Sequence, residues 1–174
     1  SSAVFSARPS TSSLAARKTE RLDARGTSFR TAVPSALVAA LLRVTPEEIL
    51  LTRNTSEANS FVSNGLDLAP GDEVICPSFT FVSTINAFVL RGAKPVFIDC
   101  RPDTLHMDEA VLEALGTPRT RAILPVHYAG IGCEMDAIMD IANRHGVAVV
   151  EDNAHGLFGK YRGQWLGTFG CMAT

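Results

Sequence analysis

Val147-Ala148-Val149-Val150-Glu151-Asp152-Asn153-Ala154-His155-Gly156 is a short apolar run followed by two acids, an amide, an imidazole and a glycine. Val147 to Val150 are apolar on both faces and mostly β-branched. They predict a central strand of a parallel sheet, covered on both sides. In open α/β sheets ligands sit at the carboxyl ends of the strands, which puts Glu151, Asp152 and His155 at that edge. A carboxylate at the end of a buried strand is costly unless a cation meets it. The cation that meets Asp152 therefore decides the function.

The 174 residues carry a formal net charge of -2 and are 46% apolar, enough for one core in about one domain. That charge does not suit a general nucleic-acid binder, and no apolar run is long enough to span a bilayer. Cys76, Cys100, Cys133 and Cys171 form no C-x-x-C pair. They read as reduced, mostly buried thiols of a cytoplasmic protein. His106, His127, His145 and His155 have no metal-ligand spacing, so no metal is expected. The sequence begins without methionine and stops at Thr174 inside a continuing pattern, so a fragment is expected.

Residues 1 to about 33 are rich in Ser, Ala and Arg. Their composition resembles an organelle transit peptide; the plainer reading is an unpaired N-terminal arm, or a piece of a small domain whose remainder is missing. Regular patterning starts near Pro34. Ser35 is placed to cap a helix from Ala36 to Arg43, with Leu37, Val38, Leu41 and Leu42 on one stripe. Thr45-Pro46-Glu47-Glu48 is a second helix-start signal, and Ile49 to Thr52 a short strand. Arg53 to Asn59 turns into a helix that Gly65 should end. Further strands are expected at Glu73 to Cys76, Pro95 to Asp99 and Arg121 to Val126. Helices are expected at Val82 to Leu90, Asp108 to Leu115 and Cys133 to His145, the last capped by Gly146. Leu157 to Leu166 alternates around Arg162-Gly163, a hairpin pattern. Strands and helices alternating this regularly predict right-handed βαβ units.

Four strand ends carry unusual residues: Thr55-Ser56, Phe79-Thr80-Phe81, His127-Tyr128, and Asp152 with His155. A parallel sheet brings them to one edge. The helix start at Thr55-Ser56 offers unpaired N–H groups at the positive end of the helix dipole, an anion site suited to phosphate. An ordinary hydroxyl N-cap is the plainer reading of the same residues. Together the four ends match a ligand with a phosphate, a flat ring and a basic ring nitrogen. Pyridoxal 5'-phosphate has all three.

Pro70-Gly71-Asp72-Glu73-Val74-Ile75, Pro77 to Thr84, Pro125-Val126-His127-Tyr128-Ala129-Gly130, Val150 to Gly156 and Leu166-Gly167-Thr168-Phe169-Gly170 resemble the DegT/DnrJ/EryC1/StrS sugar aminotransferases. These are fold-type-I pyridoxal-phosphate enzymes. Arg91-Gly92-Ala93 and Arg101-Pro102-Asp103-Thr104 bring the resemblance nearest to the dTDP-4-amino-4,6-dideoxygalactose transaminase subgroup. The resemblance implies a three-layer α/β domain with a mostly parallel sheet, residues 34–174 forming its N-terminal part. It implies a homodimer that transfers an amino group from an amino acid to a nucleotide-linked keto-sugar. Asp152 would pair with the pyridine nitrogen and Phe81 would stack on the ring. His155 would stand near the phenolic oxygen. Thr55, Ser56 and Glu57 would form the phosphate turn. His127 and Tyr128 are candidate substrate contacts, with simple packing at the sheet edge the plainer reading of both.

Two departures stand out. The phosphate turn reads Thr55-Ser56 where the family usually has Gly-Thr. Residues 45–66 also resemble class V aminotransferases and cysteine desulfurases, which hold phosphate with paired hydroxyl residues. The resemblance places the Schiff-base lysine after a Phe-Ser-Phe-His-type run that would follow Gly170, so it is expected beyond Thr174; Lys94 at a strand start and Lys160 in the hairpin are not in position to replace it. A non-catalytic binding or assembly protein on the same fold is the alternative. A receiver domain is disfavoured because its acidic strand opens the domain, and a dinucleotide fold because no G-x-G-x-x-G follows a strand.

Overall fold

A computed structural model of the chain describes residues 3–7 and 35–174. One seven-stranded sheet organises it, ordered β2-β1-β9-β6-β5-β3-β4. The strands are β1 (Ala3–Ala7), β2 (Ile49–Thr52), β3 (Glu73–Pro77), β4 (Lys94–Ile98), β5 (Thr120–Ile123), β6 (Ala148–Glu151) and β9 (Met172–Ala173). Strands β4, β3, β5, β6 and β9 run parallel, while β1 lies antiparallel between β2 and β9. The opening stretch is thus a central strand, shifted by one residue from its apolar run. Ala3–Ala7 corrects the expectation of an unpaired arm. Its backbone fills a ladder position whose partners lie more than forty residues away. The rest of the transit-like stretch lies outside the described residues.

Alternation along the strands feeds two cores. Val74 and Cys76 of β3, Ala122 of β5 and Val150 of β6 pack with α2 (Thr55–Gly65) and α3 (Ser83–Val89) on one face. Ile75, Ile123 and Val149 pack with α4 (Glu109–Leu115) and α5 (Met135–His145) on the other. Helix α5 buries Met135, Ile138 and Ala142, with Met139 partly covered, as its spacing predicts. Gly146 ends it with φ 64. The hairpin forms from β7 (Lys160–Tyr161) and β8 (Gln164–Trp165), with Arg162 at φ 47 and Gly163 at φ 86. Two successive positive φ values suit the twist of a tight hairpin.

Three local expectations change. Gly65 stays inside α2, Leu66 is the C-cap, and Asp67 takes the left-handed conformation at φ 51. Helix α1 (Ser35–Leu42) buries Ala39 while Leu37 and Leu41 stay exposed. Their shared face has no cover among the described residues. Thr45-Pro46-Glu47-Glu48 makes one turn of 3-10 helix, Pro46–Glu48, with Thr45 N–H donating to Glu48 Oε2 at 2.6 Å.

Candidate functional site

The carboxyl ends of β2, β3, β5 and β6 meet around a cleft of about 450 Å³. Thr55, Ser56, Thr80, Phe81, Ser83, Val126, Tyr128, Asp152, Ala154 and His155 line it. The structure therefore brings together Thr55, Ser56, Phe81, Tyr128, Asp152 and His155 from elements far apart in sequence. A cleft of a few hundred cubic ångströms with few convergent polar groups is the usual form of a small-molecule site.

At one end stands the first turn of α2. Asn54, extended at φ -166 and ψ 168, caps it by accepting from Glu57 N–H at 2.9 Å. Glu57 turns its carboxylate back to Arg53, taking the backbone N–H at 2.8 Å and the guanidinium at 3.2 Å. Glu57 is thus engaged within the cap and does not line the cleft, contrary to expectation. The remaining first-turn N–H groups, those of Thr55 and Ser56, lie where a helix has no partner of its own to offer. With their hydroxyls they make a cradle for an anion.

At the other end is Asp152, 6% exposed. Oδ2 accepts the Thr84 hydroxyl at 2.6 Å and Oδ1 the Ala154 N–H at 3.2 Å. Among the described residues no arginine, lysine or histidine forms an ion pair with it. A nearly buried carboxylate with two donors and no protein cation suits a cationic ligand group. Phe81, 71% exposed, presents its ring at the cleft wall. Across from it Tyr128 packs against Phe79 at 4.7 Å and edge-on against His155 at 5.3 Å between ring centroids.

His127 is not at the cleft. Its side chain is completely buried, and Nε2 lies 2.8 Å from Glu151 Oε2. Nδ1 accepts from Cys133 N–H at 3.3 Å, so Nε2 is the nitrogen that donates. The expected substrate contact for His127 is therefore corrected. Strand geometry gives the reason: consecutive residues point to opposite faces. Asp152 shares the face of Val150 and meets α3, while Glu151 shares the face of Val149.

There Glu151 accepts Gly167 N–H at 2.7 Å on Oε2, and Phe169 and Gly170 N–H, each at 2.7 Å, on Oε1. Gly170 comes so close that an added Cβ would lie 2.4 Å from the Val149 carbonyl. Glycine is required there for the loop to reach the carboxylate. Glu151, expected with Asp152 at the ligand edge, is instead buried on the opposite face and does not line the cleft. Alternation along β6, which sends Glu151 and Asp152 to opposite faces, is the signal for it; Thr84 carries no assignment from sequence. The only signal for Thr84 was its four-residue spacing from Thr80.

Of the lysines in the described residues, Lys160 stacks over Trp165 at 4.0 Å and Lys94 opens β4 at the opposite edge of the sheet. Neither lines the cleft. No cysteine is in a disulfide, and Cys76 and Cys133 are buried. No helix among the described residues is long and apolar enough to cross a membrane.

Solved aminotransferase structures share this α/β architecture. DesV from S. venezuelae, solved in complex with a ketimine intermediate, is 41% identical over 66% of this chain and 31% of its own, with a TM-score of 0.61. TlmJ, an aminotransferase from Streptoalloteichus hindustanus, is 35% identical over 79% of this chain and 38% of its own, TM-score 0.76. The GDP-4-keto-6-deoxymannose-3-dehydratase ColD, an H188N mutant with bound GDP-perosamine, is 29% identical over 68% of this chain and 32% of its own, TM-score 0.65. The family is decided by sequence: the chain belongs to the DegT/DnrJ/EryC1/StrS aminotransferase family, which matches residues 39–174. It spans about a third of the length of these solved structures.

Proposed function

We propose that the protein is a pyridoxal-phosphate-dependent aminotransferase that moves an amino group from an amino acid to a nucleotide-linked keto-sugar. In this reading residues 34–174 form the N-terminal part of the cofactor-binding large domain, in a cytoplasmic homodimer. The observation that carries it is Asp152, a nearly buried carboxylate lining the cleft, with no ion-pair partner among the described residues. Family membership and the nucleotide sugar bound to ColD support the substrate class.

When bound, pyridoxal phosphate supplies an electron sink for the carbanion formed at the amine-bearing carbon. The chain's own residues do the rest. Thr55 and Ser56 would hold the phosphate at the start of α2. Phe81 would cover one ring face and keep water from it. Asp152 would keep a proton on the ring nitrogen by countering its charge. His155 would stand near the phenolic oxygen, and Tyr128 would border the space for substrate. His127 and Glu57 have no part in this reading. Among the described residues, Lys94 and Lys160 are both held away from the cleft, so neither is assigned the attachment of the cofactor in this reading.

Binding of pyridoxamine 5'-phosphate, followed by fluorescence of Trp165, tests the reading. Asp152→Ala should weaken it at least tenfold, with inorganic phosphate affinity unchanged. Equal affinity in wild type and variant would show that Asp152 meets some other cation. Mass analysis of products from nucleotide keto-sugars and glutamate then tests the substrate class in the complete protein.

A further inference from the structure

Behind Asp152 lies a short chain of hydroxyl groups. Thr84 is 2% exposed and sits in the first turn of α3. Its Oγ1 donates to Asp152 Oδ2 at 2.6 Å. Thr80 Oγ1 lies 2.8 Å from Thr84 Oγ1. A hydroxyl has a single proton. Since the Thr84 proton is committed to the carboxylate, Thr80 is the donor in the second contact. The donors therefore run in one direction, from Thr80 to Thr84 to Asp152. Thr80 is left as an acceptor on the wall of the cleft, which it lines.

The Thr84 bond is the shorter of the two that hold Asp152, and it comes from the buried side. A carboxylate in an open cleft is drawn toward water, because solvation of the charge is lost on burial. A donor on the protein side opposes that movement. It keeps the carboxylate in one orientation before any ligand arrives, so less ordering remains to be done on binding.

We propose that Thr84 is a positioning residue for Asp152: its hydroxyl holds the carboxylate ready for a protonated ring nitrogen, and Thr80 keeps the Thr84 proton pointed at it. The proposal rests on reading the cleft as the pyridoxal-phosphate pocket. Thr84→Val preserves the branched shape and removes the donor, so the empty-cleft carboxylate turns outward and must be brought back by the ligand. Thr84→Ser keeps the donor.

The test measures pyridoxamine 5'-phosphate and inorganic phosphate binding to the full chain. The proteins are wild type, Thr84→Val, Thr84→Ser, Asp152→Ala and the Thr84→Val/Asp152→Ala pair. The expected result is about a tenfold loss of pyridoxamine phosphate affinity in Thr84→Val, the size of one hydrogen bond to a charged group. Thr84→Ser should stay within about twofold of wild type, and phosphate affinity should not move. In the Asp152→Ala background Thr84→Val should have no further effect, because its action passes through Asp152. A purely structural role would persist in that background and would overturn the proposal. So would unchanged affinity in Thr84→Val. If wild type binds pyridoxamine phosphate no better than phosphate, the pocket reading fails and this proposal with it.

Discussion

Replacing Glu151 with glutamine keeps the side chain's shape and changes one oxygen into an NH2 group. In the native structure both oxygens accept two bonds each, from Phe169 and Gly170 N–H and from Gly167 N–H and His127 Nε2. The side chain is fully buried, so no water can substitute. If the new carbonyl takes the Phe169 and Gly170 pair, the NH2 faces Gly167 N–H and His127. Two donors then lose their acceptor, at about 1–3 kcal/mol each. Removing a buried charge recovers part of this, because desolvation of the carboxylate no longer opposes folding. The net expectation is about 3 kcal/mol of lost stability, a large share of the roughly 5–15 kcal/mol that holds a domain together. Urea unfolding at pH 7 followed by Trp165, the single tryptophan, measures it. His127→Leu should cost less, about 1–3 kcal/mol, since Glu151 keeps its three backbone donors. The double variant should lose less than the sum. A Glu151→Gln loss below about 1 kcal/mol would refute the view that this carboxylate anchors the loop by charge-assisted bonds.

Thr55→Pro should remove one N–H from the anion cradle without breaking α2, because Asn54 is already extended as a residue before proline prefers. Phosphate affinity should fall about tenfold with helix content unchanged, and an unaltered titration would exclude the helix start as the anion site. Burial pushes the Cys76 and Cys133 thiols up to about 12. Iodoacetamide at pH 8 should therefore modify Cys100 in the native protein and reach those two only in urea; equal native labelling would contradict the packing. The Arg144 guanidinium, and after it His145, hold the Glu113 carboxyl down at about 2, against a usual value of 4.5. A depressed carboxyl contributes stability above its unfolded value and loses it as pH falls through the folded one. The gap between wild type and Glu113→Gln in unfolding midpoint should thus be present at pH 6, shrink below about pH 4.5 and close near pH 2. It should be small and salt-sensitive because the pair is exposed. A gap that widened in acid would reverse the assignment.

The sheet was legible because apolar strands and amphipathic helices alternate with clear punctuation. Val147 to Val150 announces a covered strand, and Gly146 ends the preceding helix as its position implies. The convergence of Thr55, Phe81, Tyr128 and Asp152 followed from topology alone. What escaped were choices made by neighbours distant in sequence. The β1 strand depends on ladder partners in β2 and β9, which no local pattern of residues 3–7 discloses. Gly65 yields the left-handed position to Asp67 although glycine is the easier residue there. His127 was misplaced because its chemistry suggested a ligand contact, whereas the following residue, Tyr128, is the one that reaches the cleft. A histidine beside a strand end is as readily a partner for a buried acid, and here Glu151 supplies that acid.

The two adjacent acids, Glu151 and Asp152, take different surroundings. On a strand they must diverge, one to each face. Glu151 enters a ring of four donors that fully occupies its oxygens and leaves nothing for a ligand. Among the described residues Asp152 meets the Thr84 hydroxyl and the Ala154 N–H and forms no ion pair. Had the register shifted by one residue, the satisfied and unsatisfied acids would exchange faces, and the cleft would lose its counter-charge. The Glu151 ring resists such a slip, because it binds β6 to the loop that leads into β9 by three separate backbone N–H groups. By locking the strand in register, it keeps Asp152 on the face that lines the cleft together with Thr55 and Ser56.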